Sequence, residues 1–445
     1  MEIFQFEDKG LAHYAYAIIS EGQMALIDPA RNPAPYYELA ENRGAVIVAV
    51  IETHPHADFV SSHLEIHRRT GARIYVSRLL GALYPHQPFD EGAEIQVGAA
   101  RLRALNTPGH SPDSISIVAL DEEGREKAVF TGDTLFIGDC GRPDLRESAG
   151  NLTAAREELA RQMYHSLRTK LMTLPDEVLV YPAHGAGSLC GKALGSAHSS
   201  TIGAEKMTNW SMQPQSEDEF VRELLADQPF VPAYFPYAVE VNRRGAVPFR
   251  EALAAAEIRN VDAAFLPEPG VLIADTRPAA QFRQGHLPGA FNLMDDTRFE
   301  TWLGSVIQPG EAFYLLAADR ETLQVLLQRA ASIGYETYVK AGLAGNAGTQ
   351  TSPGTDVELF RQHPEQYTIV DLRNPSEVKA LRIFDQALEI PLYQLRSRVN
   401  EIPLSKPVLV HCAGGYRSAA GASILESVFQ GETPVFDLGE AVKTF

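Results

Sequence analysis

The sequence predicts a protein of several domains, of mixed α/β and α+β class, on three observations. The chain has 445 residues, and at roughly 150 residues per domain this length indicates about three domains. Short apolar runs alternate with helical stretches over the first 190 residues, which favours sheets covered by helices. Beyond residue 250, a weak internal repeat of strand, loop and helix favours two copies of a small α/β domain.

The composition is that of a globular protein, and it favours a small-molecule substrate over nucleic-acid or membrane partners. Hydrophobic residues make up 45% and charged residues 22% of the chain, and no apolar run approaches the roughly 20 residues that a membrane helix needs. The formal charge of -18 is spread along the chain, which argues against nucleic-acid or membrane partners. The N-terminal stretch MEIFQFEDKGLAHY lacks a signal-peptide pattern, so we expect a cytoplasmic protein, and we expect a homo-oligomer.

The region up to residue 184 is predicted to consist of strands closed by polar turns and separated by helices. The predicted helices are APYYELAENRG and SSHLEIHRRTG. Histidines and aspartates follow several of the strands, where loops can gather them into one site. The predicted strands are YAYAIIS, QMALIDPA, AVIVAVIETH, ARIYVS, ARLRALNTPGH, ISIVAL, KAVFTGD and EVLVYPAH.

Residues 200 to 250 combine two patterns. The stretch EDEFVRELLADQ is typical of an amphipathic helix, whereas PFVPAYFPYAVEVNRRGAVPF is rich in proline and aromatic residues. We expect this second stretch to be an extended arm packed on another domain. The first domain is therefore predicted to span residues 1–250.

Residues 251–350 and 351–445 are predicted to form the two copies of the small domain. The runs VLIADTRPAAQF and TIVDLRNPSEV each end an apolar strand in Asp-x-Arg. Asp275 and Arg277 of the first copy thus correspond to Asp371 and Arg373 of the second. Each of these runs is followed by a further strand, loop, helix and strand.

Six side chains that can ligate or surround a metal follow predicted strands, in the order HxHxD, GH, GD and AH. Any single histidine of this kind is most often a surface or hydrogen-bonded residue, but the ordered set is specific. The six residues are His54, His56, Asp58, His110, Asp133 and His184.

This ordered set resembles that of the metallo-β-lactamase-fold proteins, and within them most closely that of the persulfide dioxygenases, which are related in sequence to glyoxalase II. The resemblance covers residues 10 to 190 and implies an αββα sandwich with a metal site at one edge of two facing sheets. It implies one Fe(II) per chain as cofactor, held by His54, His110 and Asp133. The residues implied to surround the iron or to face its vacant side are His56, Asp58, Phe59 and His184.

The ligand chemistry independently supports an oxygenase. Two imidazoles and one carboxylate with open positions form the facial triad of non-haem Fe(II) oxygenases, whereas zinc does not activate oxygen. Phe59 stands where the two-metal hydrolases have a histidine, and a phenyl ring has no lone pair to donate. We therefore expect the second metal position to be lost. The alternative is that Phe59 packs in the core beside a functional pair of metals.

Two further histidines, His63 and His67, are spaced i, i+4 in HLEIH and could share a metal on one helical face. Leu64 replaces the glutamate of an HExxH motif. We therefore expect both histidines to be solvated helix residues.

Further candidates for substrate contact follow the ligands. In IGDCGRPDL, Cys140 and Arg142 resemble the part of the dioxygenase pattern that holds the thiol carrier of the persulfide. An internal ion pair of Arg142 with Asp144 or Asp139 is an equal alternative. Cys190 is another candidate, and both cysteines have the alternative of being inert buried thiols. With Cys412 the chain has three cysteines, which is too few and odd in number for a disulfide framework.

In the stretch VLVHCAGGYRSAAGASIL, Cys412 follows an apolar strand and begins a glycine-bearing loop. A helix is expected to begin after this loop, at about Ser418. Backbone N–H groups and the helix N-terminus would stabilise an anionic thiolate or persulfide there. With the IVDLR strand, this resembles a rhodanese domain over residues 355–445. The resemblance makes Cys412 the acceptor of sulfane sulfur and Arg417 its catalytic partner. The other residues of the cradle, which would bind substrate, are Ala413, Gly414, Gly415 and Tyr416.

Two further observations bear on this interpretation. Cysteine phosphatases use a similar C-x5-R loop, so phosphate transfer is the chemical rival, but here only four residues separate the cysteine from the arginine, which favours sulfur transfer. The other copy carries DTRPAAQFRQGHLPGAFN, which also resembles a rhodanese, yet Leu316 or Ala317 stands at its cysteine position. Because a rhodanese without its nucleophile cannot form a persulfide, we expect residues 251–350 to be a structural spacer or docking domain.

Taken together, the three regions resemble the bacterial persulfide dioxygenase-sulfurtransferase fusions. The resemblance implies that low-molecular-weight persulfides are oxidised with O2 to sulfite, and that Cys412 passes sulfane sulfur to sulfite to give thiosulfate, in sulfide detoxification. One alternative is a thioester hydrolase of glyoxalase II type. A non-enzymatic persulfide sensor is the other, and it would not need a complete facial triad.

Overall fold

The computed structural model describes residues 1–146, 155–192, 194–262, 265–346 and 348–445. Within these ranges the chain forms two compact units. The first contains Met1–Glu251 with the short segment Ser332–Gly334, and the second contains Ala252–Ala331 and Tyr335–Phe445. Among the described residues, no helix is both long and apolar enough to cross a bilayer.

The described part of the first unit is built on two six-stranded sheets. The first sheet follows chain order and contains β1 (Glu2–Asp8), β2 (His13–Ser20), β3 (Gln23–Ile27), β4 (Val46–Ile51), β5 (Arg73–Val76) and β6 (Gln87–Pro88). The second contains β7 (Glu94–Val97), β8 (Ala100–Asn106), β9 (Ile115–Leu120), β10 (Glu126–Gly132), β11 (Leu179–Pro182) and β12 (Ser200–Thr201), and these also lie in consecutive order. Every strand predicted for this region is confirmed.

Helices cover the outer faces of both sheets, which makes this unit an αββα sandwich. Side chains alternate along β2, so that Tyr16 and Ile18 point between the sheets and meet Phe130 of β10. On the outer faces, α1 packs on the first sheet and α3 and α5 pack on the second. The helices of this region are α1 (Ala34–Arg43), α2 (His63–Thr70), α3 (Arg156–Thr169), α4 (Ile202–Thr208), α5 (Glu217–Leu225), α6 (Phe235–Arg244) and α7 (Phe249–Ala255).

The extended arm expected after residue 228 is wrong, because much of this stretch is helical. Pro236 lies in the first turn of α6, where its missing N–H group would have no partner in any case. Phe235, Ala238, Val239 and Asn242 are buried at the i, i+3, i+4 and i+7 positions of one helical face. The prolines therefore mark the start of a helix here, and the amphipathic spacing was the stronger signal.

The second unit contains two sheets in its described part, and all of their strand pairings are parallel. The first has the order β13-β17-β16-β14-β15, with β13 (Ile258–Asn260), β14 (Leu272–Asp275), β15 (Ala290–Asn292), β16 (Phe313–Ala317) and β17 (Val339–Ala344). The second has the order β19-β18-β20-β21, with β18 (Thr368–Asp371), β19 (Leu388–Glu389), β20 (Val408–His411) and β21 (Val435–Asp437).

Helices connect these parallel strands, as parallel pairing requires. They are α8 (Ala279–Gln284), α9 (Phe299–Val306), α10 (Arg320–Ser332), α11 (Val357–Gln362), α12 (Pro375–Ala380), α13 (Leu392–Arg398) and α14 (Tyr416–Phe429). A 3₁₀ turn, Gly439–Thr444, ends the chain. The strand, loop and helix order expected for both copies of the repeat is therefore present.

Candidate metal centre

Three side chains at strand ends converge at one edge of the sandwich. His54 follows β4, His110 follows β8, and Asp133 follows β10 directly. All three are buried, and their ligand atoms lie within 4.8 Å of one another. Asp133 Oδ2 is 3.7 Å from His54 Nε2 and 3.5 Å from His110 Nε2, and it has no hydrogen-bond partner among the described residues. Two imidazole nitrogens and a carboxylate oxygen are thus directed at a common point.

Hydrogen bonds behind His54 fix which of its ring nitrogens carries the lone pair. The Thr53 hydroxyl donates to Asp28 Oδ2 at 2.8 Å and lies 3.0 Å from His54 Nδ1. Because the hydroxyl proton is used on Asp28, the hydroxyl oxygen accepts from Nδ1–H of His54. The lone pair of His54 is therefore on Nε2, the atom that faces Asp133.

The electrostatics of the three residues suit a cation. Burial, together with the neighbouring His56, holds the pKa of His54 well below its usual range, and burial also lowers the pKa of His110. Burial alone would raise the pKa of Asp133, but His184 and His110 hold it well below its usual range. At neutral pH the site therefore presents two neutral imidazoles and one carboxylate, the protonation states that metal binding requires.

The second oxygen of Asp133 belongs to a chain of polar contacts. His184 Nδ1 donates to Asp133 Oδ1 at 2.7 Å, and His184 Nε2 lies 2.7 Å from Asp58 Oδ2. His56 Nε2 lies 3.2 Å from Asp28 Oδ1. His56, Asp58 and His184 therefore lie next to the three candidate ligands, where the resemblance to the dioxygenases implied them.

Phe59 is buried within a group of rings. Its ring centroid lies 3.8 Å from that of His13 and 4.4 Å from that of His56. His13 is itself buried at the start of β2, and sequence reasoning did not single it out because a lone histidine at the start of a strand has no distinctive spacing. The ring of Phe59 thus supplies an apolar wall on this side of the site.

Asn242 of α6 supports the loop that carries His56 and Phe59. Its Nδ2 donates to the carbonyls of His56 and Phe59 at 2.8 and 2.7 Å, and its Oδ1 accepts from the N–H of Ser61 at 2.8 Å. All of its polar atoms are therefore used to hold this loop. The signal that could have found it was the amphipathic spacing of α6, which placed a polar residue on the buried face.

The loop after Asp133 positions Arg142 for an internal role. The guanidinium of Arg142 is buried and bonds both carboxylate oxygens of Asp144, at 2.7 and 2.6 Å, and it also donates to the carbonyl of Leu189. The ion pair with Asp144, which was one of the two sequence alternatives, is thus present. Contact of Arg142 with a substrate stays a prediction.

The cysteines of the first unit occupy different environments. Cys140 packs in the hydrophobic core beneath α3, and burial, with Asp139 nearby, raises the pKa of its thiol. Cys190 is also buried, but its sulfur lies within 4.8 Å of ligand atoms of Asp58 and His184. Of the two, Cys190 is the one beside the candidate centre.

The expectation that His63 is solvated is wrong. Its ring is fully buried, lies 3.4 Å from Glu52 Oε1 and packs against the ring of Tyr84. His67 is half-buried, and its Nδ1 contacts the carbonyl of Ala72 at 2.7 Å. Because α2 turns this face inward, an i, i+4 pair that looked exposed includes a core residue.

In the second unit, Cys412 follows β20 directly and is the first residue of a tight loop. The N–H of Gly415 donates to Cys412 Sγ at 3.1 Å, and Gly415 has a φ of 101°, a conformation that favours glycine. Helix α14 begins at Tyr416, two residues earlier than expected. The sulfur therefore lies at a helix N-terminus with a backbone donor directed at it.

The other predicted residues of this loop are engaged in contacts. Arg417 pairs with both oxygens of Glu377, at 2.5 and 2.7 Å, and its guanidinium lies over the ring of Trp302. The hydroxyl of Tyr416 donates to the carbonyl of Met294 at 3.1 Å. Ala413 and Gly414 complete the turn between Cys412 and the helix. The charge of Arg417 is thus balanced by a carboxylate.

Known proteins resemble both parts of the chain. The family model of the metallo-beta-lactamase superfamily matches residues 8–184. The mitochondrial persulfide dioxygenase of Homo sapiens is 33% identical over 164 residues, which are 36% of this chain and 59% of that protein. The corresponding protein of Bos taurus is 30% identical over 242 residues, which are 54% of this chain and 86% of that protein.

A solved structure extends this similarity. A metallo-beta-lactamase from Staphylococcus aureus superposes with a TM-score of 0.68 at 31% identity, and it covers 77% of this chain and 99% of its own. This share of the chain exceeds the first unit, so the similarity continues into the second. The ordered candidate ligands, the αββα sandwich and these relatives agree that the chain belongs to the metallo-beta-lactamase superfamily, with persulfide dioxygenases among its homologues.

Proposed function

We propose that the first unit oxidises low-molecular-weight persulfides with O2, and that the second unit transfers sulfane sulfur to the sulfite formed. The observation that carries the first part is the buried set of His54, His110 and Asp133, with the unpartnered Oδ2 of Asp133 between the two imidazoles. Relatives named persulfide dioxygenases support it. In the overall reaction, a persulfide RSSH, O2 and water give the thiol RSH, sulfite and two protons.

The donor set fits one divalent iron. Two neutral imidazoles and one carboxylate are the ligands of the facial triad, and zinc with the same ligands does not activate oxygen. When bound by His54, His110 and Asp133, iron would supply redox chemistry and open coordination positions. Phe59 offers no ligand atom, which disfavours the two-metal hydrolases as models for this site.

The protein's own groups hold these ligands in place. Thr53 and Asp28 orient His54, and His184 fixes the carboxylate of Asp133 through its Oδ1. Gly141 lets the following loop pass close by, because a Cβ there would lie 2.0 Å from the carbonyl oxygen of Asp133. Ligands held in this way do not need to reorganise when substrate arrives.

Sulfur transfer is proposed for Cys412. The Cys412 thiolate first attacks the outer sulfur of a second persulfide RSSH, whose S–S bond breaks to release the thiol RSH, and a Cys412 persulfide is left. A lone pair on the sulfur of sulfite then attacks the outer sulfur of this persulfide. The S–S bond of the persulfide breaks, the S–S bond of thiosulfate forms, and the electron pair returns to Cys412 as a thiolate. The donated N–H of Gly415 and the start of α14 stabilise that anion. The process would remove sulfide-derived sulfur as thiosulfate.

Oxygen uptake by the iron-loaded full chain tests the oxidation. Persulfides of glutathione, coenzyme A and cysteine are offered in turn, and sulfite is quantified. His110→Ala and Asp133→Ala should lose both iron and oxygen uptake, because each removes one of three ligands. His165→Ala is the matched control, since His165 is an exposed histidine on α3, and it should keep both. Two zinc ions per chain with thioester hydrolysis and no oxygen uptake would overturn the proposal.

A further inference from the structure

We propose that a cleft inside the second unit, between α8 and α14, binds a small organic molecule through its primary ammonium group. The cleft has two chambers that lie side by side, because Pro353, Ser423 and Glu426 line both of them. The described residues that line the cleft do not include Cys412 or its loop. The site therefore goes beyond the proposed sulfur transfer and does not depend on it.

The sizes of the two chambers suit different parts of such a ligand. The inner chamber has a volume of about 20 Å³, and the outer chamber has a volume of about 310 Å³. A cavity needs about 10–15 Å³ to hold one water molecule, which is close in size to an ammonium group. The inner chamber therefore has room for one ammonium group, and the outer chamber has room for the rest of a small molecule.

A buried acceptor in the inner chamber lacks a donor. Asn292, at the end of β15, is 1% exposed, and its Nδ2 donates to the carbonyls of Asp275 and Arg277 at 3.1 and 2.8 Å. Because a carbonyl only accepts, these two bonds fix the orientation of the amide and leave Oδ1 for the chamber. Oδ1 is buried without a hydrogen-bond partner among the described residues. A ligand in this chamber should therefore offer a hydrogen-bond donor.

The charges of the cleft favour a cation as that donor. Among the described lining residues, the charged ones are Glu426, Asp437 and Arg283. The guanidinium of Arg283 is 3.9 Å from Asp437 Oδ2, which is too far for a hydrogen bond. Glu426 accepts from the neutral hydroxyl of Ser352 at 2.7 Å, and burial raises the pKa of Glu426 to about 7, with Asp437 adding to the rise. When both carboxyls are ionised, one negative charge is therefore left without a counter-charge.

A primary ammonium group meets both requirements. It carries one positive charge and three N–H donors, so it can bond Oδ1 of Asn292 and the carboxylate of Glu426 together. A quaternary ammonium has the charge without the donors, and a bare metal ion would make no use of the outer chamber. Pro353, Pro434 and Val435 line the outer chamber and offer apolar surface to a carbon chain.

The test follows the binding of butylamine to the full chain by saturation-transfer NMR. At pH 8 the carboxyl of Glu426 is ionised, whereas the amine keeps its proton. We expect saturable binding. Tetramethylammonium has the same charge but no N–H group, and it should compete at least about tenfold more weakly than propylamine. This comparison is needed because a chain with a formal charge of -18 attracts any cation.

Two substitutions in the cleft separate the effect of charge from that of space. Glu426→Gln should weaken butylamine binding by at least about tenfold, since it removes the charge and keeps the shape. Ala279→Leu, at the partly exposed first residue of α8, should fill the inner chamber and block binding. Glu358→Gln is the matched control, because Glu358 is an exposed carboxylate on α11, and it should bind as the wild type does. Unfolding in urea checks that each variant is folded.

Three results would overturn the proposal. The first is binding that survives either cleft substitution in a folded variant, and the second is competition by tetramethylammonium as strong as that by propylamine. The third is a wild-type chain without saturable binding, which would leave the inner chamber to water. Oxygen uptake and sulfur transfer are measured separately, so these failures leave the proposed function untouched.

Discussion

Each of the two sheets of the second unit has a buried Asp–Arg ion pair at the same position. The sheets differ at the end of the neighbouring strand. In the first sheet Arg277 bonds both oxygens of Asp275 and the carbonyl of Gly285, and in the second Arg373 bonds both oxygens of Asp371 and a carbonyl in the same way. These pairs lie at equivalent positions of β14 and β18. The same buried ion pair is therefore part of both copies.

The strand ends differ in more than one residue. Asp275 lies opposite Leu316, and Asp371 lies opposite His411, so the next residues, Ala317 and Cys412, are equivalent. This selects Ala317 from the two sequence candidates for the cysteine position. After Cys412 the chain makes a loop that directs the N–H of Gly415 at the sulfur. After Ala317 the helix starts sooner, at Arg320.

The first copy also has a carboxylate, that of Asp319, immediately before its helix α10. The carboxylate of Asp319 accepts a hydrogen bond from the N–H of Thr322 at 2.8 Å. This backbone donor in the first turn of α10 is therefore bonded to a side chain of the protein itself. In the second copy a different donor, the N–H of Gly415 just before α14, is directed at a cysteine. The first copy thus keeps the ion pair without a cysteine at position 317, and a purely structural role for this copy stays a prediction.

The largest effect is expected at the residue that differs between the copies. Cys412→Ser should abolish sulfane-sulfur transfer between thiosulfate and cyanide, because a hydroxyl does not form a persulfide. Oxygen uptake with persulfide should stay near the wild-type rate while the product changes from thiosulfate to sulfite. Loss of oxygen uptake under saturating persulfide would mean that Cys412 feeds the oxidation directly.

The second-largest effect is expected for the buried Asp–Arg ion pair that both copies contain. Arg277→Ala and Arg373→Ala should each destabilise the second unit by about 3–5 kcal/mol, because each leaves a buried aspartate unpaired. Unfolding in urea can be followed by Trp302 in a Trp210→Phe background, since the chain has two tryptophans. Arg259→Ala, which removes an exposed ion pair with Glu257, should cost less than about 1 kcal/mol. A large cost for only one of the two buried arginines would show that the scaffolds are not equivalent.

Much of the first unit was predictable because its signals are local. Alternating apolar runs predicted the strands, and the ordered motif located His54, His110 and Asp133 because strand ends of one sandwich meet at one edge. The same logic found Cys412 from a strand, a glycine loop and a helix start.

The remaining features depend on contacts between residues distant in sequence. Asn242 bonds the loop of His56 and Phe59 from more than 180 residues away, and the amphipathic spacing of α6 indicates that Asn242 is buried but not which loop it bonds. The burial of His63 depends on what packs over α2. The pairing of Arg417 with Glu377 joins two elements 40 residues apart, so its charge was predicted but its neutralisation was not.

A smaller effect distinguishes the helices that follow the two strand ends. Helix α10 buries only apolar residues, whereas α14 carries Glu426, whose pKa burial raises to about 7, with Asp437 adding to the rise. The unfolded chain ionises this carboxyl near its ordinary value of 4.5. Folding stability should therefore fall as pH rises from about 4.5 to 7 and then level off.

The substitution Glu426→Gln should remove this pH dependence. It should raise the stability of the second unit above pH 7 by about 1 kcal/mol, a figure discounted because the carboxyl is partly exposed. The hydroxyl of Ser352, which now donates to the carboxylate, can donate to the amide oxygen instead. Glu432→Gln, at an exposed position of the same region, is the control and should change nothing. An unchanged pH profile in Glu426→Gln would place the dependence elsewhere.

The smallest expected effect is the most informative about the two copies. Ala317→Cys in a Cys412→Ser background restores a cysteine to the first copy, and we expect no sulfur transfer above that background. Ala317 is fully buried, so the added sulfur would be overpacked and cost about 1–3 kcal/mol. The loop there lacks a counterpart of Gly415, and the carboxylate of Asp319 lies two residues on. A thiol in that position would have no donor to stabilise its anion and a negative charge nearby to oppose it. Measurable transfer by this variant would show that the shared scaffold is sufficient to activate a cysteine, and that the loop around Cys412 is dispensable.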